Sequence, residues 1–117
     1  MIIMKKLIVE KPWGKFIQYN HNEKTTVKII EVKPGGILSL QSHRKRKEFW
    51  IILEGKPVVT AGSRVMNLIK GDEISIAKGE KHRIANNSKS MVRFLEVSFG
   101  DFDEKDIKRY EDKYGRA

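Results

Sequence analysis

A chain of 117 residues has room for one domain with one core, and its lack of cysteine rules out disulfides and thiolate metal sites. No stretch approaches the ~20 apolar residues of a membrane span, and Met1–Val9 lacks the long apolar run of a secretory leader, so the expected setting is the cytoplasm. The net charge of +9 attracts phosphates, but without interleaved aromatic residues or a helix-turn-helix, zinc-finger or RNP pattern it points to a small phosphorylated ligand and not to nucleic acid.

In chain order, the first element is a strand over residues 1–10, apolar around Lys5 and Lys6. Short runs rich in β-branched and apolar residues follow at Thr26–Val32, Phe49–Leu53, Pro57–Ala61, Val65–Ile69, Glu73–Ile76 and Met91–Val97. Between them stand turn signals such as Lys33-Pro34-Gly35-Gly36, Glu54-Gly55-Lys56-Pro57, Lys70-Gly71-Asp72 and Ala85-Asn86-Asn87-Ser88. Strands at this spacing predict an all-β sandwich or barrel over about residues 11–100, within a single domain over 1–117. The last element reads as a short C-terminal helix over about 103–114. Ile107, Tyr110 and Tyr114 fall on one helical stripe, acids come early, Lys113 comes late, and Gly115 ends it.

Two spaced blocks carry chemistry. In the first, Gly35 is followed after five residues by Gln41-x-His43, after four more by Glu48 and after six more by Gly55. In the second, Gly71 is followed after five by Ala77-x-Gly79, after two by His82 and after three by Asn86. On a strand, Gln41 and His43 face the same side, Glu48 begins the next strand and His82 comes from a distant one. Four nitrogen and oxygen donors then converge inside a barrel and leave positions open, as a catalytic metal site requires. Each residue alone has a plainer explanation: a hydrogen-bonded structural histidine, a solvated edge glutamate, a surface glutamine. The joint spacing favours one divalent ion held by Gln41, His43, Glu48 and His82, with zinc, manganese, iron, cobalt and nickel all compatible.

These blocks resemble the paired motifs of cupins, the double-stranded β-helix or jelly-roll barrels, with Gln41 in place of the usual first histidine and Ala77 in place of a proline. Leu38-Ser39-Leu40-Gln41-x-His43 and Arg46-x-Glu48-x-Trp50 are similar to the signature of type II mannose-6-phosphate isomerases. Pro12-Trp13-Gly14, Gly79-x-Lys81-His82-Arg83, Glu96-Val97 and Asp106-Ile107-x-Arg109-x-Glu111-Asp112-x-Tyr114-Gly115-Arg116 extend the likeness over roughly residues 11–116. In that family the cupin stands alone or forms the C-terminal part of bifunctional mannose-1-phosphate guanylyltransferases. With about ten residues before Pro12, the stand-alone form is expected here. Lys11 stands where Arg is frequent, Phe49 where His is, Ser98 where Gln is, and Phe102 where Tyr is.

The resemblance implies an isomerase that interconverts mannose 6-phosphate and fructose 6-phosphate through an enediol. Such chemistry needs an electrophile on the sugar oxygens and a base near neutral pH. Glu48, Lys81 and Glu96 are the candidate catalytic residues. Lys11, Ser39, Arg46, Arg83 and Arg109 are the candidate substrate-binding residues, the arginines because a guanidinium fits phosphate oxygens. A homodimer is expected, since sheet edges must be covered. A non-catalytic sugar-phosphate-binding or regulatory cupin, and another small-molecule cupin enzyme such as a nucleotide-sugar epimerase, are the alternatives. An iron dioxygenase fits least, because its facial triad usually carries more histidine.

Overall fold

The computed structural model describes residues 6–116, which form eleven strands: β1 (Leu7–Lys11), β2 (Gly14–Gln18), β3 (Thr25–Val32), β4 (Leu40–Ser42), β5 (Lys47–Glu54), β6 (Val58–Ala61), β7 (Arg64–Asn67), β8 (Glu73–Ile76), β9 (His82–Ala85), β10 (Val92–Phe99) and β11 (Lys108–Glu111). All pairings are antiparallel. A four-stranded sheet runs β3-β10-β5-β8 and a five-stranded sheet runs β11-β4-β9-β6-β7, while β1 and β2 form a separate hairpin.

Side-chain alternation decides what each sheet turns inward. Along β3, Thr26, Lys28, Ile30 and Val32 are withdrawn from solvent while Val27, Ile29 and Glu31 are exposed. Strand register sets Thr26, Ser98 and Glu48 in one row, Lys28, Glu96 and Trp50 in the next, and Ile30, Phe94 and Ile52 in a third. The inner face is therefore polar at one end and apolar at the other. The apolar end is one cluster of Val32, Trp50, Ile52, Val59, Ile74, Ile76, Ile84, Val92 and Phe94. Each fully buried side chain of this size stabilises the fold by about 1.5–3 kcal/mol. Gly55 closes the β5–β6 turn at φ 90°, and an added Cβ would stand 2.6 Å from the Met91 carbonyl oxygen. Only glycine fits there.

The hairpin β1–β2 stands off the barrel. Its base is tied to β8 by Lys6 Nζ (2.6 Å) and Tyr19 Oη (2.8 Å), which both donate to the Glu73 carboxylate. At its tip Trp13 is 73% exposed. The strand expected over 1–10 is thus β1, with Met1–Lys5 outside the described residues, and the barrel itself begins at Thr25 rather than near residue 11.

The C-terminal helix expected over 103–114 is not formed; the described residues contain no helix at all, and so none that is long and apolar enough to cross a membrane. Lys108–Glu111 instead adds an edge strand beside β4. The early acids that read as a helix start bond to backbone amides. Asp103 accepts from Lys105 N, and Asp106 from Arg44 N and Lys45 N. Asp112 likewise accepts from Tyr114 N and Arg116 N in the last turn. Short acidic side chains compete with helical hydrogen bonds in this way.

Candidate metal centre

Strand pairing assembles the site at the polar end of the barrel. Gln41 on β4 is the direct cross-strand partner of His82 on β9, so both face inward. His43 follows two residues after Gln41, and Glu48 occupies the first inner position of β5, in the row with Ser98. His82, Glu48 and His43 are 1%, 2% and 4% exposed. Their facing donor atoms all lie within 4.8 Å of one another. His43 Nε2 is 3.5 Å from one Glu48 oxygen and His82 Nε2 is 3.8 Å from the other.

The hydrogen bonds behind these donors fix their chemistry. His43 Nδ1 lies 2.7 Å from the Asp106 carbonyl and His82 Nδ1 lies 2.9 Å from the Glu80 carbonyl. A carbonyl only accepts, so each Nδ1 carries the proton and each Nε2 turns a lone pair into the site. Backbone carbonyls commonly hold metal-ligating histidines in this manner. Burial pushes both imidazoles below the ordinary histidine value, which keeps them neutral near pH 7 against the opposing pull of Glu48. His82 Nε2 is buried with no hydrogen-bond partner among the described residues. An orphaned lone pair beside a buried carboxylate fits a divalent cation. Bonds of about 2.0–2.2 Å place donors at most about 4.4 Å apart, so a small inward closure brings this set onto one ion.

Glu48 is held at both oxygens. Trp50 Nε1 donates to one at 3.0 Å and Arg46 Nε to the other at 3.0 Å. Arg46, 7% exposed, also directs Nη2 to His43 Nε2 at 3.2 Å. Ser39, buried behind Gln41, donates weakly to its side-chain oxygen at 3.4 Å. One row deeper than Glu48, Glu96 is pushed up to about 7, first by burial and then by the Glu48 charge, against the pull of Lys28 and Arg46.

Several residues singled out in the sequence fall elsewhere. Lys81 and Arg83 flank the inward His82, so alternation turns both outward. Lys81 is exposed with its ammonium 4.2 Å from the Tyr110 ring centre, and Arg83 donates to the Leu38 carbonyl at 3.1 Å. Lys11 is exposed near the tip of the hairpin. Arg109 lies on β11, a strand and not a helix. It is the cross-strand partner of Gln41, and its Nε is buried with no partner among the described residues. Sequence reasoning passed over Lys28 and the indole donor of Trp50. The inward register of Thr26, Ile30 and Val32 was the signal for the first, and the i+2 spacing from Glu48 for the second.

The chain can be set beside known proteins on this geometry. It is 40% identical over 110 residues to the xanthan biosynthesis protein XanB of Xanthomonas campestris pv. campestris (strain B100), covering 93% of this chain and 24% of that protein. It is 38% identical over 110 residues to the mannose-1-phosphate guanylyltransferase ManC of Salmonella typhimurium, covering 93% of this chain and 23% of that protein. The chain thus spans about a quarter of the length of these relatives. A cupin protein from Bacteroides fragilis superposes with a TM-score of 0.60 at 27% identity, over 69% of this chain and 70% of that one. Residues 3–112 match the family described as Mannose-6-phosphate isomerase C-terminal, and on that match, with the cupin barrel and its donor cluster in place, the chain belongs to that family.

Proposed function

We propose that this domain interconverts mannose 6-phosphate and fructose 6-phosphate, a metal-dependent aldose–ketose isomerisation through an enediol. The observation that carries the reading is a buried carboxylate, Glu96, pushed up to about 7 in the metal-free protein, one row from the buried donor cluster of His43, Glu48 and His82. One divalent ion (zinc, manganese, iron, cobalt or nickel) held by His43, Glu48, His82 and Gln41 would supply Lewis-acid polarisation of the sugar oxygens. Glu96 is the base: it takes the C2 proton of the aldose and returns it at C1, with the hydroxyl proton moving from O2 to O1. A carboxylate whose value is raised towards neutrality by burial suits proton transfer in both directions. Glu48 serves as a ligand, since Trp50 and Arg46 bond both of its oxygens. Arg109 and Arg46 donate to substrate oxygens, and Ser39 orients Gln41. A hexose phosphate substrate accords with the expected cytoplasmic setting.

The test is a coupled assay with mannose 6-phosphate, with and without added divalent metals, alongside metal analysis. We expect about one ion per chain, removed by His82→Ala, and ketose formation that depends on it. A second reading, a sugar-phosphate-binding module without turnover, draws on Arg46 Nη2, which engages the His43 lone pair that a metal would take. Metal-loaded protein that binds mannose 6-phosphate yet forms no fructose 6-phosphate selects that module and rejects the isomerase. The assembly we propose is a homodimer, supported by the exposed apolar side chains Ile8, Trp13, Val27 and Ile29. A clean monomer in sedimentation at micromolar concentration overturns it.

A further inference from the structure

Lys28 occupies an inward position of β3, but its ammonium is not paired with the carboxylate beside it. Glu96 is its cross-strand neighbour, whereas the ion pair it makes among the described residues is with Glu104, at 3.6 Å, on a side chain 82% exposed. A contact that long and that exposed contributes little. The ammonium lies 4.1 Å from the centre of the Phe102 ring, and the Arg46 guanidinium lies 4.3 Å from that same centre. The aromatic face attracts each cation; Arg46 is already paired with the buried Glu48 at 3.0 Å, whereas Lys28 has only its long, exposed contact with Glu104 and has charge to spare for an incoming anion.

The surroundings fix this arrangement. The segment that carries Phe102 is tied to the start of β3 by the Lys24–Asp101 ion pair (2.5 Å) and by Gly100 N donating to the Lys24 carbonyl (3.0 Å). Arg46 Nη1 donates to the Asp103 carbonyl at 3.4 Å on the other side of the ring residue in sequence. Arg46 then runs inward from Phe102 to Glu48 and His43, so the paired cations lie next to the donor cluster. A hexose 6-phosphate has the same layout: reacting carbons at one end, a dianion at the other.

We propose that Lys28 and Arg46, spaced by Phe102, hold the phosphate group of the substrate at the rim of the metal centre, with Lys28 as the residue that selects phosphorylated over free sugar. The sugar's identity rests on the isomerase reading; the phosphate site does not. Lys28 supplies a point charge and Arg46 a planar fork, the two complementary ways of gripping a phosphate. On binding, the ligand takes the place of Glu104 beside Lys28.

Equilibrium titration of the full chain with mannose 6-phosphate, inorganic phosphate and mannose tests this, with far-UV circular dichroism confirming the fold of each variant. Lys28→Met should weaken both phosphate compounds by about 10- to 100-fold, as expected for one lost charge-assisted bond, and leave mannose unchanged. Lys28→Arg should restore most of the affinity, and Phe102→Leu should weaken the phosphate compounds while Phe102→Tyr does not. Unaltered phosphate affinity in Lys28→Met, or a wild type that binds neither phosphate compound, overturns the proposal. A wild type that binds mannose 6-phosphate through Lys28 but makes no ketose supports the phosphate site and removes the isomerase reading alone.

Discussion

Replacing Trp50 by Phe isolates the hydrogen bond that holds the buried Glu48 carboxylate. Trp50 is 1% exposed, and its Nε1 lies 3.0 Å from Glu48 Oε1, with the His82 and Phe94 rings against its own at 5.7 and 4.7 Å between centroids. Phenylalanine keeps most of the apolar packing but leaves a buried carboxylate oxygen with one donor fewer. The lost charge-assisted bond costs about 1.5–3 kcal/mol, and the smaller ring adds roughly 1 kcal/mol through the space it leaves. Urea unfolding in the presence of chelator should therefore show a loss of about 2.5–4 kcal/mol. The two parts separate in a double-mutant cycle with Glu48→Gln, because only the hydrogen bond couples Trp50 to that residue. A coupling of about 1–2 kcal/mol is expected, since Gln still accepts a neutral bond. Full additivity of the two substitutions would refute the argument that Trp50 acts through Glu48.

The remaining predictions follow from specific placements. Turnover should rise with pH as Glu96 ionises, at a pH below its metal-free position of about 7 because a cation on Glu48 offsets the charge that raises it, and Glu96→Gln should lower kcat by at least about 100-fold. The sign for stability is the reverse: a carboxyl raised from 4.5 to about 7 loses folded-state stability as pH climbs through that window, so Glu96→Gln in chelator should gain about 2–3 kcal/mol at pH 8 and nothing at pH 4. Lys81→Ala should leave kcat/KM unchanged, whereas Arg109→Ala should raise KM by roughly 10- to 150-fold; equal effects would mean that β9 is registered wrongly. Gly55→Ala should cost about 2–4 kcal/mol in thermal or urea unfolding, from its positive φ and the Met91 carbonyl in the way.

The barrel's long strands were legible because β3, β5 and β10 each carry a run of β-branched and apolar residues bounded by turn signals. The cluster of His43, Glu48 and His82 was legible from joint spacing across two separated blocks of the chain. Strands of three or four residues, β4, β9 and β11, carry too few positions to show a period, and their partners lie far away in sequence. At the C-terminus a helical stripe of Ile107, Tyr110 and Tyr114 was as good a fit locally as the strand, and only pairing with β4 decides between them. Lys81 and Arg83 illustrate a different loss. An inward His82 already dictated that its two neighbours point outward, but the family likeness drew attention to the motif as a block rather than to its alternation. Lys28 was missed for the converse reason, a charged residue hidden in a strand that otherwise looked like core.

The histidine rings are oriented by main-chain carbonyls, those of Glu80 and Asp106, rather than by side chains. Every amino acid carries that acceptor, so ring orientation is not set by direct contact with the side chains at positions 80 and 106. It depends instead on where the β8–β9 and β10–β11 loops bring their peptide planes. Asp106 holds its plane through the bonds its carboxylate accepts from Arg44 N and Lys45 N, and Glu80 through the bond it accepts from Ala77 N, so substitutions that remove these bonds should disturb the rings as a change in loop length would.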